Sequence, residues 1–207
     1  MIFYINIIYY MVKYNPKKWN DNIHLQKSHN CYSYFLNKID KRKIKKCKTK
    51  KNCVTPQPGY HKGLPKHIYN MTRKKRSPNG FRYQCENVVP RVLSDNPHIK
   101  FNGNTRKKCN KGYYSGALVT TSKDSWDKSD YHFYRKDTDT NTWSHKTGKL
   151  PVTNTDANGN KIFDPYYAAR KYARNDYSNF CGYFCIPEKK LNSDENKTDY
   201  QRNLCSV

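Results

Sequence analysis

Positive charge is concentrated in the first half of this 207-residue chain. Residues 1–110 contain 25 Lys and Arg against four Asp and Glu, a net +21, whereas residues 111–207 contain 15 against 12, a net +3. Nine of the basic residues fall within 38–51, and smaller basic clusters follow at 73–76 and 106–108. Blocks of like charge repel one another and stay solvated. We therefore expect basic loops in the first half and most of the folded sheet in the second.

Composition excludes several classes of protein. Aromatic residues make up 14% of the chain, 19 of them Tyr, which argues against a fully disordered protein. The longest apolar run is shorter than the ~18 residues that a membrane span needs. The length suits one ordinary domain. We predict an N-terminal extension at 1–27, a single domain at 28–187 with a basic insertion at about 38–110, and a polar tail at 188–207.

The order of predicted elements is one early helix followed by an antiparallel sheet, which is typical of the α+β class. Cys31, Phe35 and Ile39 lie on one helical stripe, so a helix is predicted at 31–39. Strands are predicted at 113–122, 130–136, 142–146 and 180–187, and a further helix at 166–174. Residues 60–80 and 94–110, like the basic runs, are predicted to be loops.

Eight cysteines allow a disulfide framework with 105 pairings, a zinc site, or buried reduced thiols. Their spacings lack the close pairs of common structural zinc sites. Residues 1–12 are apolar but have no basic leader and no clear cleavage site, so they make a poor signal peptide, and translation could begin at Met1 or Met11. Without a secretory signal, reduced and buried thiols are the expectation.

Three residues suggest nucleophilic catalysis. Cys31 falls in the first turn of the predicted helix, where the helix dipole lowers a thiol pKa. A cysteine nucleophile needs an imidazole base and a group that orients the imidazole. A hairpin that closes at 138–139 would place His132 directly opposite His145, with Cβ atoms ~4.5–5.5 Å apart. The sequence therefore offers Cys31, His132 and His145 as a candidate triad.

Three segments carry a resemblance to a known family: Asn-Cys-Tyr-Ser-Tyr at 30–34, Tyr-His-Phe-Tyr-Arg at 131–135 and Trp-Ser-His-Lys at 143–146. The pattern resembles the NlpC-like branch of papain-fold cysteine peptidases and amidases. That resemblance implies a papain-like arrangement, with an N-terminal helix packed on an antiparallel sheet. It further implies that Cys31 is the nucleophile of a thiol hydrolase, His132 the general base and acid, and His145 the orienting residue. Members of that family commonly cut amide bonds, and no cofactor is implied.

A longer pattern over about residues 28–187 resembles an uncharacterised family from bacteria and giant DNA viruses. Its further segments are Pro-Gln-Pro-Gly at 56–59, Val-Thr-Asn at 152–154 and Phe-Cys-Gly-Tyr-Phe at 180–184. The Asn, Lys and Tyr content suits a giant-virus member, which would place the protein in a host cytoplasm or a virion. This second resemblance implies no known activity.

The sequence also allows a function without catalysis. Basic clusters bind phosphate backbones and other anionic surfaces through counterion release. A basic virion or nucleic-acid-binding protein on the same fold would use the cations of the two main clusters: Lys41, Arg42, Lys43, Lys45, Lys46, Arg73, Lys74, Lys75 and Arg76. A papain-like scaffold without catalysis is a third possibility. The sequence contains no phosphate-binding glycine loop and no H-E-x-x-H metal motif.

Overall fold

The computed structural model of the chain describes residues 12–49, 53–59, 83–122 and 129–188. Its helices are α1 (Pro16–Asn20), α2 (Ile23–Ser28), α3 (Cys31–Phe35), α4 (Lys41–Thr49) and α5 (Cys85–Asp95). Its strands are β1 (Lys100–Phe101), β2 (Tyr113–Thr120), β3 (Tyr131–Lys136), β4 (Trp143–Lys146), β5 (Val152–Thr153) and β6 (Asn179–Pro187). They form one antiparallel sheet in the order β1-β6-β2-β3-β4-β5. The predicted α+β class is confirmed.

Helix α3 packs on the centre of this sheet. The ring of Phe35 lies 4.6 Å from that of Phe133 and 5.5 Å from that of Phe184, measured between centroids. A Cβ atom at Gly116 would lie 2.3 Å from the Phe35 ring, so β2 requires glycine at this position. The opposite face is covered by the segment between β5 and β6, which contributes Ile162 to a second apolar cluster.

The four predicted strands are confirmed, with ends that differ by one or two residues. The predicted helix at 31–39 ends earlier, at Phe35. Asn37 adopts a positive φ of 47°, and the amide of Lys38 donates to the carbonyl of Ser33 at 3.0 Å. That reversal satisfies a carbonyl of the last turn and stops the helix.

The basic run was predicted to be a loop, and this is wrong over 41–49, where the structure has helix α4. Asp40 precedes the helix, and its carboxylate accepts from the amide of Arg42 at 2.9 Å. Ile44 packs beside the buried cluster that contains Trp19, and Cys47 is buried. The helix thus has one anchored face, while all of its charged side chains except that of Lys43 are exposed to solvent. Helix α5 was also not predicted.

The predicted helix at 166–174 is wrong as well. The amides of Tyr167 and Ala168 donate to the carbonyl of Asp164, which makes a single turn. The amide of the next residue, Ala169, donates to the carboxylate of Asp156 at 3.0 Å. The carbonyl of Ala169 accepts from the amide of Ala157. These bonds to the preceding loop replace the ones that would have continued a helix.

Disulfides overturn the expectation of reduced thiols. The structure pairs Cys47 with Cys53, Cys85 with Cys181, and Cys109 with Cys185. Two of these bonds fasten residues preceding β2 to strand β6, across 96 and 76 residues of chain. The sequence could not reveal them, because the partners lie far apart in the chain.

Residues 12–27, which fall within the predicted extension, pack against the domain. Trp19 is 1% exposed, and its ring lies 5.1 Å from that of Tyr34. The predicted loop at 60–80, the basic cluster 73–76 and all but the first residue of the predicted tail lie outside the described residues. Of the helices in the described ranges, none has the length and apolar character needed to cross a membrane.

Candidate active site

Cys31 is the first residue of α3 and is 5% exposed. Asn30 caps the helix, because its side-chain oxygen accepts from the amide of Ser33 at 3.3 Å. The Asn30 amide group also donates to the carbonyl of Pro56 at 2.8 Å, which joins the helix start to the loop 53–59. Among the described cysteines, Cys31 alone keeps a free thiol.

The two histidines do meet, but not in the predicted register. His145 stands opposite Tyr134, and the hairpin is closed by the bond from the Asp137 amide to the Thr142 carbonyl. The loop therefore has four residues, with Asn141 at a φ of 54°, where two had been predicted. His132 is therefore diagonal to His145 and not directly opposite it. In this arrangement the Nε2 atom of His132 lies 2.8 Å from Nδ1 of His145.

Hydrogen-bond partners fix the tautomers of this pair. The Nε2 atom of His145 lies 2.9 Å from the carbonyl oxygen of Thr155, which can only accept, so this nitrogen carries a proton. The neutral ring then offers Nδ1 as an acceptor, and His132 donates to it from Nε2. The remaining ring atom, Nδ1 of His132, keeps its lone pair and is the atom available as a base.

One cavity of about 320 Å³ contains both Cys31 and His132. The backbone groups of Phe133 and Tyr32 lie close enough to the thiol to lower its pKa, so the thiol is near the residue that follows His132. Neighbouring residues of a strand point to opposite faces, and Phe133 points toward α3. Cys31 and His132 thus reach the cavity from opposite sides of β3. No hydrogen bond links the thiol to either imidazole among the contacts of the described residues.

Burial sets the resting protonation of the site. Burial is the largest cause that raises the pKa of Cys31 to about 12, followed by the negative charge of Asp130. Burial also holds the pKa of His132 well below 6.5, and the neighbouring His145 lowers it further. The resting pair is a neutral thiol and a neutral imidazole. The expectation that the helix start lowers the thiol pKa is therefore wrong, because desolvation outweighs it.

Gln57 also lines this cavity, and the sequence analysis gave it no chemical role. The hydroxyl of Tyr131 donates to Oε1 of Gln57 at 2.5 Å. This bond orients the side-chain amide, and its Nε2 makes one long contact of 3.4 Å to the hydroxyl of Thr55. Thr55 and Gln57 also line a second cavity of about 490 Å³. The Pro-Gln-Pro-Gly segment at 56–59 marks this loop in the sequence. The contact that gives Gln57 a role is with Tyr131, 74 residues away, and no local pattern predicts it.

Two other buried ionic groups near the site are structural. Arg135 pairs with Asp137 at 2.9 Å, and its guanidinium stacks on the ring of Tyr34 at 3.9 Å. Lys146 donates to the carbonyls of Gln26 and Gly148 at 2.6 and 2.7 Å, and burial lowers its pKa to about 8. The bond from Lys146 to Gly148 holds the turn at 148–149, which forms one wall of the cavity.

The basic cluster that the structure describes is the exposed face of α4. Lys41, Arg42, Lys45 and Lys46 are exposed, whereas Lys43 is half-buried. The described acidic partner of these cations is Asp40, which precedes the helix and contacts Arg42 at 3.3 Å. The predicted Arg73, Lys74, Lys75 and Arg76 lie outside the described residues. Within the described ranges no group of three His, Cys, Asp or Glu side chains could hold a metal ion.

Comparison with known proteins gives one partial similarity. A stretch of 68 residues, 32% of this chain, is 41% identical to Insoluble matrix shell protein 1 from Ruditapes philippinarum. The aligned stretch covers 43% of that protein, which is less than half of its length. No protein-family model and no solved structure matches the chain.

Proposed function

We propose that the protein is a cysteine hydrolase that cleaves amide bonds on an NlpC-like, papain-type fold. The observation that carries this proposal is the relay from the Thr155 carbonyl through His145 to His132. It leaves the lone pair of Nδ1 free on a ring that shares a cavity with the buried thiol of Cys31. A thiol with a neighbouring base, itself held by a third group, is the arrangement that cysteine nucleophiles need.

In the first step Sγ of Cys31 attacks the amide carbonyl carbon, and the thiol proton passes to Nδ1 of His132. The tetrahedral intermediate then collapses. The C–N bond breaks, and His132 returns the proton to the leaving amine, which leaves a thioester on Cys31. Water then attacks the thioester carbonyl carbon while His132 accepts a proton from it. The C–S bond breaks, and His132 returns that proton to Sγ, which gives a carboxylic acid and the free thiol of Cys31. Atoms and charge balance in each half-reaction.

The oxyanion of the tetrahedral intermediate requires hydrogen-bond donors. We assign Nε2 of Gln57 to this role, together with the backbone amide of Cys31. The contact with Tyr131 supports this assignment. Its hydroxyl donates to the side-chain oxygen of Gln57, so the NH₂ group of Gln57 points away from Tyr131.

The proposal is tested with p-nitrophenyl acetate, which transfers an acetyl group to a competent cysteine. We expect a burst of nitrophenol and an acetyl group on Cys31, located by mass spectrometry, and neither in Cys31→Ala. His132→Gln should slow acylation by about 10²–10⁴-fold. His24→Gln, which changes a histidine outside the cavity, serves as the control. Equal acylation in wild type and His132→Gln would overturn the proposal.

A second candidate function is binding of an anionic polymer through α4, without catalysis. Five exposed cations on one nine-residue helix favour it. The three disulfides suit an oxidising compartment better than a cytoplasm. The name of the partly similar protein, Insoluble matrix shell protein 1, also supports a structural role. The two candidates use different surfaces, so each can be tested by itself.

A further inference from the structure

A carboxylate lies in the same cavity as the candidate nucleophile. Asp130 lines that cavity with Cys31. Its Oδ2 accepts from the hydroxyl of Tyr177 and from the side-chain amide of Asn175, each at 2.8 Å. Its Oδ1 accepts from the amide of Tyr131 at 2.9 Å. These donors fix the carboxylate, and since a carboxylate has about four acceptor positions, one remains for a ligand.

The position of this charge opposes the chemistry proposed for Cys31. A negative charge beside a thiol disfavours the thiolate, and Asp130 adds to the effect of burial in raising the pKa of Cys31. Asp130 forms no ion pair with a Lys or Arg of the described residues. The positive charge of Lys146 lowers the pKa of Cys31, but by less than Asp130 raises it. A negative charge that outweighs the cation beside a nucleophile is a local conflict of the kind expected at a functional site.

We propose that this cavity binds a primary ammonium group, which pairs with Asp130 beside Cys31. The volume of about 320 Å³ admits a chain terminus or a side chain. The buried ring of Tyr177 forms part of the wall and can add a cation–π contact to the ion pair. As a statement about substrates, the inference rests on the proposed function. The preferred amides would carry an ammonium group close to the scissile bond.

Binding of the ammonium also changes the nucleophile. The bound positive charge offsets that of Asp130 and therefore lowers the pKa of Cys31. The thiol is thus activated when the cationic substrate is present and stays protonated when the cavity holds none. A free thiol kept in the presence of three disulfides benefits from such protection, because the thiolate is the form that oxidises and exchanges.

Other ionisable groups around the cavity must be separated from Asp130 in the test. His132 is neutral, and Tyr177 and Tyr131 keep their protons, because burial raises the pKa of both phenols. Lys146 donates to two backbone carbonyls. Lys149 is exposed at the rim and is the cation whose side chain could compete with a ligand.

The test uses three methanethiosulfonates with a common reactive group: 2-aminoethyl, methyl and 2-sulfonatoethyl. Their rates with Cys31 of the full chain, located by mass spectrometry, are divided by their rates with free cysteine. We expect the normalised rate of the aminoethyl reagent to exceed that of the sulfonatoethyl reagent by at least about tenfold. Asp130→Asn should remove this preference. Asp176→Asn, the same change at an exposed position outside the cavity, and Lys149→Gln should keep it.

A preference unchanged in Asp130→Asn, or absent from the wild type, overturns the ammonium site. If Asp130→Asn does not fold, the wild type decides. Methylammonium chloride should shift the pH profile of Cys31 methylthiolation to lower pH, whereas potassium chloride at equal ionic strength should not. A profile that is the same in both salts overturns the inference. Alkylthiolation needs no turnover, so a cation preference without burst acylation contradicts the enzyme and keeps the site.

Coumarin amides then distinguish the source of the ammonium. Alanyl, N-acetyl-alanyl and N-acetyl-lysyl derivatives present an α-ammonium, no cation and a side-chain ammonium. Faster cleavage of the first assigns a chain terminus, and faster cleavage of the third assigns a lysine-like side chain. Fastest cleavage of the uncharged derivative contradicts the inference while it supports the hydrolase.

Discussion

His145 lies opposite Tyr134 in the sheet, and its Nδ1 atom nevertheless meets Nε2 of His132 at 2.8 Å along the diagonal. Both imidazoles are almost fully buried, at 1% and 2% exposure. Because the Thr155 carbonyl holds the far nitrogen of His145, the direction of every hydrogen bond in this relay is determined. The relay therefore assigns a distinct role to each of four ring nitrogens.

The relay predicts that the acylation rate depends on the hydrogen bonds made by residue 145 more than on its imidazole ring. His145→Gln can accept from His132 and donate to the Thr155 carbonyl, and we expect it to retain most of the acylation rate. His145→Ala should lose on the order of 10²-fold or more, because His132 is then free to take the wrong tautomer. Burst kinetics with p-nitrophenyl acetate measure both variants.

A structural role alone would lower both rates through loss of folded protein, so the fraction folded is measured by circular dichroism in parallel. Equal rates for His145→Ala and the wild type, at equal folded fraction, would contradict the assignment of His145 as the orienting residue.

Cys31 is predicted to react slowly with neutral alkylating reagents at neutral pH. The pKa of about 12, against an ordinary 9.0, leaves a thiolate fraction about 10³-fold smaller than that of a free thiol. Iodoacetamide labelling of Cys31 should be slow at pH 7, rise steadily into the alkaline range and become fast in urea. Peptide mapping by mass spectrometry follows the site, and a short cysteine peptide gives the reference rate. Labelling of the native protein as fast as the peptide contradicts this prediction.

Sequence reasoning located the parts of this site that follow from local pattern. Cys31 opens a helix because Asn30 caps it, and the strands that carry the histidines have clear β-rich sequences. What failed depended on distant contacts. The hairpin register was set by the bond between Asp137 and Thr142, and the Asp130 cluster joins a strand start to Asn175 across 45 residues. Composition made the basic run look like a loop, but the anchored face of α4 determined its structure.

Acid should destabilise the protein through its buried histidines. Burial lowers the pKa of His29, His132 and His145 below 6.5. Below that pH the unfolded chain binds protons that the folded protein does not, so the free energy of unfolding falls. Each histidine can contribute up to about 1.4 kcal/mol per pH unit. Urea titrations between pH 7 and the onset of acid denaturation should show a shallower slope for His145→Gln than for His24→Gln. Identical slopes for the two variants exclude a contribution from His145.

Disulfides should contribute according to the length of chain they close. Loss of the Cys109–Cys185 bond, which spans 76 residues, should lower the free energy of unfolding by about 4 kcal/mol in the chain-entropy account. Loss of the Cys47–Cys53 bond, which spans six residues, should cost about 2 kcal/mol. Paired Cys→Ala variants compared by urea denaturation test the order. A larger loss from the short loop would show that strain or packing, rather than chain entropy, governs these bonds.

The exposed face of α4 predicts electrostatic binding of anionic polymers. Lys41, Arg42, Lys45 and Lys46 are all exposed and separated by one or three positions, so they form a continuous basic surface. Each cation that contacts a phosphate releases a counterion, so the logarithm of affinity falls linearly with the logarithm of salt concentration. Replacing all four with Gln should reduce that slope by about 3 for single- or double-stranded nucleic acid. Fluorescence anisotropy with a labelled oligonucleotide measures the slope.

A matched variant changes four exposed cations elsewhere, Lys17, Lys161, Lys171 and Arg174, and should change the slope less. An equal change in both variants would mean that the net charge, and not the surface of α4, attracts the polymer.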